Sequence, residues 1–361
     1  LGRPELLSIF PWTWNGLSPT WINEAGISVA TFISFFCLQW WSFRRSDGGG
    51  EFIQRMLATK DEYQAKVAGW FFLIINYLIR SWLWILVALA ALILFPNQED
   101  WELSYPLLAV KFLPPFLLGL VVVSLFAAFM STVSTSVNWG SGYLTHDLYQ
   151  RFLRRSASQK ELLFVGKLTS ILLMFFGIIT ALISDSIGSV FRLVIAIGTG
   201  PGVILVLRWF WWRINAYAEL VAMLSGFFIG LVTSLIPALR IEDYGIRLII
   251  NTLITTSFWL FALTFTSPEK PETLEKFVKK IRPPGPGWQR LREKFEVSEV
   301  ERLDLLVYKF IISSGLLFGS LIGVGSFILH NERVGWICLI FTVFCFFALN
   351  KKWIQKLVIF N

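Results

Sequence analysis

Apolar residues run along this chain in long blocks, separated by short stretches rich in Lys, Arg, Gly and Pro. A membrane-crossing helix needs about 20 mainly apolar residues. Nine blocks approach or exceed that length, at 26–43, 67–95, 112–137, 162–184, 190–212, 216–237, 246–266, 306–329 and 334–350. They lack the alternation, over about 10 residues, that marks a barrel strand. The pattern predicts an all-α, polytopic membrane protein of about nine transmembrane helices, with its two ends on opposite sides of the bilayer.

Composition sharpens this reading. Hydrophobic residues make up 55% of the 361 and charged ones only 16%, where a soluble domain carries about a quarter charged. Two His and three Cys are too few for a zinc, haem or iron–sulfur site, and Cys37, Cys338 and Cys345 all lie in apolar runs. The net charge of +8 would suggest nucleic acid in a soluble protein. Here it reports basic loops, and no nucleic-acid partner is expected. Of the 32 Lys and Arg, 25 fall at the C-terminal ends of the odd-numbered blocks. The positive-inside rule then puts the N-terminus outside and the C-terminus in the cytoplasm, in a cell (inner) membrane. The chain opens at Leu1 with no signal-peptide pattern, as a piece of a longer protein would.

Punctuation divides the chain further. Residues 1–25 read as an extracytoplasmic loop, 26–212 as the first five spans, and 213–266 as two more. Residues 267–305 form a basic cytoplasmic linker that contains Pro283-Pro284-Gly285-Pro286-Gly287-Trp288. A C-terminal helix pair and tail occupy 306–361. The run 289–304 predicts a short surface helix. Trp209, Phe210, Trp211 and Trp212, between Arg208 and Arg213, read as an interfacial aromatic anchor. Gly198-Thr199-Gly200-Pro201-Gly202 is no dinucleotide loop, because no strand precedes it. It predicts a helix that is broken or thinned in mid-membrane.

Chemistry concentrates in the third block, which reads Ala127-Ala128-Phe129-Met130-Ser131-Thr132-Val133-Ser134-Thr135-Ser136-Val137-Asn138. Residues three and four apart share a helix face. Ala128, Ser131 and Thr132 form one cluster, and Ser131, Ser134 and Thr135 an overlapping one. Small residues permit close helix packing, and hydroxyl and carbonyl oxygens are also what a dehydrated Na⁺ requires. From these residues alone both roles stay open.

The order of motifs narrows the choice. Gln54-Arg55-Met56-Leu57-Ala58-Thr59-Lys60, Tyr105-Pro106, Leu113-Pro114, the hydroxyl segment and Thr145-His146-Asp147-Leu148-Tyr149 follow one another. This series resembles the sodium:solute symporter family, with its sodium-coupled sugar, proline and sialic acid carriers. Arg208 to Asn215 and Arg282 to Trp288 resemble a bacterial branch of it. The resemblance implies the second half of a LeuT-type inverted-repeat core plus peripheral helices, with 26–212 as the second five-helix repeat. The N-terminal repeat of the same protein would be a missing partner. Na⁺ is implied as co-transported ion, on Ala128, Ser131 and Thr132, with Ser134 and Thr135 for a second sodium. The family's interrupted helix and aromatic gate fall on Gln39, Trp40 and Trp41, which predicts a helix break between Trp41 and Gly50. A sugar-binding lysine maps near Asn76, and the sugar-coordinating set is not retained.

Arg80, about halfway along the second block, is a cation at a depth that costs about 2.5–3.5 kcal/mol on insertion scales. No span carries an acid at comparable depth. Its partner is therefore an acid of the missing repeat or an anionic group of the solute, and Asn76 lies one turn before it. The expected function is sodium-coupled symport of a small polar or anionic solute by alternating access, with no enzymatic activity. The rivals are a symporter-like sensory domain without transport and a membrane enzyme built on His146 and Asp147.

Overall fold

The computed structural model describes residues 12–15, 18–21, 29–42, 50–184, 186–298 and 300–349. Strands β1 (Trp12–Asn15) and β2 (Ser18–Trp21) pair antiparallel, with Trp12 opposite Trp21. The rest of the regular structure is helical: α1 Val29–Cys37, α2 Gln39–Ser42, α3 Gly50–Leu57, α4 Glu62–Leu73, α5 Arg80–Leu94, α6 Ser104–Phe112 and α7 Pro115–Gly142. Then come α8 Gln159–Ile183, α9 Ile187–Leu207, α10 Ala216–Leu235, α11 Tyr244–Phe265, α12 Pro271–Ile281, α13 Gln289–Lys294, α14 Leu303–Ile328 and α15 Glu332–Ala348. A π-helical stretch, Ile74–Ile79, joins α4 to α5, and a second, Tyr143–Leu153, extends α7.

The helix starts follow from the sequence. Asp61 caps α4 by accepting from the Gln64 amide at 2.8 Å, Asn215 caps α10 through the Ala218 amide, and Asp243 caps α11 through that of Ile246. Ser158 accepts from the amide of Glu161 at the head of α8, and Pro115 opens α7 at its first turn.

Among the described residues, seven helices are long and apolar enough to cross a membrane. They are Glu62–Leu94, Pro115–Leu153, Gln159–Ile183, Ile187–Leu207, Ala216–Leu235, Tyr244–Phe265 and Leu303–Ile328. Of the other two predicted spans, the first is split at Leu38 into α1 and α2, and the last is the 17-residue α15. The predicted break after Trp41 falls partly outside the described residues: α2 ends at Ser42 and α3 begins at Gly50.

The described residues fall into two compact units, 85–190 and the remainder. In the larger unit α9 packs on α2 and α10, and α11 packs on α1 and α10. The predicted break at Gly198–Gly202 does not occur: α9 is continuous, with Pro201 inside it. Its glycines thin it instead. A side chain at Gly198 would run into the Ser42 carbonyl, at Gly200 into Thr255, and at Gly202 into Trp41. Across the groove, Gly226 and Gly230 lie against Pro201 and Ile197. Thr31 and Ser34 of α1 clasp Gly245, whose carbonyl accepts from Ser34 Oγ at 3.0 Å and whose amide donates to Thr31 Oγ1 at 3.1 Å. Ile204, Ala218, Ala222, Trp259 and Leu263 fill the interior. In the same unit α14 and α15 form a hairpin, and Trp82 Nε1 donates to the Leu321 carbonyl at 2.8 Å with its ring over Gly325.

The 267–305 linker is a built element. Leu274 and Val278 of the amphipathic α12 bury against Trp288 and Leu291, with Trp212 and Phe277 packed alongside. Gly287 donates to the Phe210 carbonyl at 3.0 Å, and Trp288 Nε1 to that of Arg208 at 3.1 Å. The expectation of a simple aromatic anchor at 209–212 is therefore corrected. Trp209 lies tilted against Phe277, and Trp212 packs on the linker cluster, while Phe210 and Trp211 keep exposed faces. The surface helix predicted at 289–304 is confined to the six residues of α13.

In the smaller unit α7 and α8 pair through hydroxyls. Ser141 Oγ donates to the Gly166 carbonyl at 2.8 Å and lies 2.9 Å from Thr169 Oγ1. Tyr149 donates to Glu161 at 2.6 Å, and Arg154 pairs with the same carboxylate at 2.9 Å.

Candidate functional site

Ala128, Ser131, Thr132, Ser134 and Thr135 all lie on α7 and are all exposed. Helical hydroxyls in an apolar setting usually donate back to the carbonyl three or four residues earlier. Most of the chain's membrane helices do this: Ser124 to Val121 and Thr180 to Phe176, for example, and within the row Thr135 to Ser131 at 2.9 Å. The side-chain hydroxyls of Ser131, Thr132 and Ser134 make no hydrogen bond among the described residues. The helix is unbroken through Ala128, so its carbonyl accepts one helical amide and keeps a second lone pair. A hard cation on this face would find two uncommitted hydroxyls and a carbonyl within one turn. Those oxygens suit Na⁺, and one helix face alone cannot enclose it.

A second polar place lies in the larger unit. Asn76 and Arg80 both line a cavity of about 690 Å³ with Phe52, Arg55, Met56, Gly69, Phe72 and Tyr77. The π-helical turn shapes its wall, since the Arg80 amide bonds the Ile75 carbonyl five residues back. Such wide turns recur at functional sites. Aromatic edges hold the other wall, with Phe52 and Phe72 at 4.9 Å and Phe72 and Tyr77 at 6.1 Å between ring centroids. The lining carries two arginines, an amide and a phenol, and no carboxylate. No acid lies within ion-pair distance of Arg80 among the described residues. Arg55 and Tyr77 were not read as site residues from the sequence. Arg55 was visible only as part of the Gln54–Lys60 motif, and the π turn that positions Tyr77 left no pattern to read.

The expected gate lies elsewhere in that unit. Trp41 packs on Gly202 and Ser42 on Gly198, so this end of α2 is seated on α9. The amide oxygen of Gln39 is buried without a hydrogen-bond partner among the described residues. None of these residues lines the Arg80 cavity. The side chain of Trp40 lies outside the described residues. His146 Nδ1 lies 3.0 Å from Gln150 Oε1, and the described residues hold no cluster of three His, Cys, Asp or Glu that could bind a metal.

Comparison with known proteins meets this geometry. Residues 49–226 match the model of the sodium:solute symporter family. The osmoregulated proline transporter OpuE of Bacillus subtilis is 29% identical over 36% of this chain and 26% of its own length. The sodium/proline symporter of Salmonella typhimurium is 31% identical over 36% of this chain and 26% of its own. The human sodium/myo-inositol cotransporter 2 is 28% identical over 53% of this chain and 31% of its own. The matches thus span about a quarter to a third of these relatives. No solved structure matches the chain. These relatives are named as transporters, and the described helices are those of an integral membrane protein. Over residues 49–226, just under half of its length, the chain is similar to the sodium:solute symporter family.

Proposed function

We propose that this chain is part of a sodium-coupled symporter that moves a small solute bearing an anionic group. The reading rests first on the row Ser131, Thr132 and Ser134, whose hydroxyls stay uncommitted on an apolar helix inside the family-matched segment. Na⁺ as cargo would lie on the Ala128 carbonyl and the hydroxyls of Ser131 and Thr132. Ser134 and Thr135 would serve a second ion, and the first repeat of the complete protein would close the coordination. The solute would bind beside Asn76 and Arg80, where Arg80 has no carboxylate within ion-pair distance among the described residues. Gln39, Trp40 and Trp41 would gate access. Residues 26–212 would form the second repeat, the N-terminus would face outward, and the cell membrane would be the site of action.

In alternating access, Na⁺ and solute stabilise the outward-facing state together and leave inward. Each must then change the other's affinity by the same factor. Uptake of labelled amino acids, carboxylates and sugars into proteoliposomes of the complete protein tests this. A sodium gradient should drive uptake of an anionic solute and leave neutral sugars untouched. Sodium-independent uptake counts against sodium coupling, and no uptake of any solute counts against transport and favours the sensory reading.

A further inference from the structure

Tyr244 packs with Leu38 against the buried cluster Ile195, Ala196 and Leu248. This contact sets the first turn of α11 beside the early turns of α9. It brings Arg247 to the level of Arg192, which lies one turn before Ile195 and Ala196. Arg247 is only 8% exposed. Its guanidinium carbon stands 5.7 Å from the centre of the Tyr244 ring, and its Nε is buried without a hydrogen-bond partner. The other charges that act on it are Arg192, Arg240 and Glu242. Glu242 is already held by Arg240 at 3.1 Å, and the carboxylate of Asp243 caps α11 on the Ile246 amide at 2.8 Å. Among the described residues neither Arg247 nor Arg192 has a carboxylate within ion-pair distance.

Burying a cation without a counter-charge is costly. Elsewhere the chain avoids that cost: Arg208 pairs with Glu219 at 3.4 Å, Arg213 donates to the carbonyls of Leu263 and Thr266, and Arg292 to those of Pro283 and Gly285. Arg247 is the buried exception here, and the exposed Arg192 adds its charge to the same place from α9. We propose that Arg247 and Arg192 form an anion site beside the Tyr244 phenol, distinct from the Arg80 cavity, and that its ligand is a phosphate group. Planar guanidinium forks match the several oxygens of a phosphate better than a single-atom anion. The site also lies near the ends of two membrane-length helices, the depth at which lipid headgroups sit. The phosphate is therefore either free or part of a headgroup.

The test uses the full chain, purified lipid-free in detergent, with thermal unfolding followed by tryptophan fluorescence. Inorganic phosphate is titrated at constant ionic strength against chloride, and phosphatidylglycerol is titrated separately. In the wild type one of the two should raise the unfolding midpoint. Arg247→Gln should need about tenfold more of it for half the effect, the scale of one lost charge-assisted hydrogen bond. Arg247→Lys should fall between, because charge remains and the fork is lost. A response to inorganic phosphate identifies a free anion, and a response to phosphatidylglycerol alone identifies a headgroup. Should Arg247→Gln not fold, Arg192→Gln and Arg247→Lys carry the comparison. Equal shifts in wild type and every folded variant overturn the proposal.

Discussion

Gly198, Gly200 and Gly202 of α9 lie against Ser42, Thr255 and Trp41, whereas Gly119 and Gly142 of α7 and Gly177 of α8 have nothing within 4 Å of where a Cβ would stand. The same contrast runs through the two regions. Of the most apolar stretch of each helix, 33% is buried in Ile187–Leu207 and 28% in Tyr244–Phe265, against 0% in Pro115–Leu153. Helices in lipid gain no hydrophobic drive toward one another, so close packing through small residues has to hold them. The 187–265 region spends its small residues that way. On α7, Gly140 and Ser141 pack on α8, but Gly119 and Gly142 meet nothing within 4 Å, and Ser131, Thr132 and Ser134 are exposed among the described residues. Small residues in a membrane helix thus serve packing in one region, while in the other three hydroxyls stay exposed and uncommitted among the described residues.

Substitution at the glycines breaks this comparison most forcefully. Gly245→Val should destabilise the protein by about 3 kcal/mol, the upper range of overpacking, because the new side chain meets the backbone of Ala30 and Thr31. A fall in the thermal midpoint with loss of folded yield is the expected readout, and an unchanged midpoint would show that α1 is not clasped to Gly245. A smaller effect is expected at the Arg80 cavity. Arg80→Gln should raise the half-saturating solute concentration about tenfold, the equivalent of one lost charge-assisted hydrogen bond. Arg80→Lys should recover only part of this, since the planar fork is gone. Unaltered uptake kinetics in both variants would remove Arg80 from the solute site. The smallest effect is the control. Gly177→Ala should leave stability unchanged or raise it by about 0.5–1 kcal/mol, from helix propensity alone. Marked destabilisation there would mean that α8 is as closely packed as α9.

The spans were legible because hydrophobic length is a local property, and seven of the nine predicted blocks return as membrane-length helices. What the sequence hid depends on distant partners or subtle backbone geometry. Gly198–Gly202 reads in isolation as either a break or a thinning, and only the approach of Ser42, Trp41 and Thr255 decides for a thinned, continuous helix. Trp209 to Trp212 read as a membrane belt because their other partner, Gly287-Trp288, lies some 80 residues further on. The π turn at Ile74–Ile79 has no signature in hydropathy, so Asn76 and Arg80 could be joined by spacing but not to Arg55 and Tyr77. The hydroxyl row was visible as a row. That Thr135 is tied back to Ser131 while Thr132 is not could be seen only in the coordinates.

The central claim is that the uncommitted hydroxyls of α7 hold the transported sodium. Its most direct test is the sodium-activation curve of solute uptake for Ser131→Ala and Thr132→Ala in the complete protein, alongside Ser124→Ala, whose hydroxyl is already bonded to the Val121 carbonyl. The account predicts that the first two raise the half-activating sodium concentration about tenfold or more at normal surface expression, one charge-assisted contact being lost in each. Ser124→Ala should behave as wild type. Wild-type sodium activation in both Ser131→Ala and Thr132→Ala would contradict it and leave the row a packing surface.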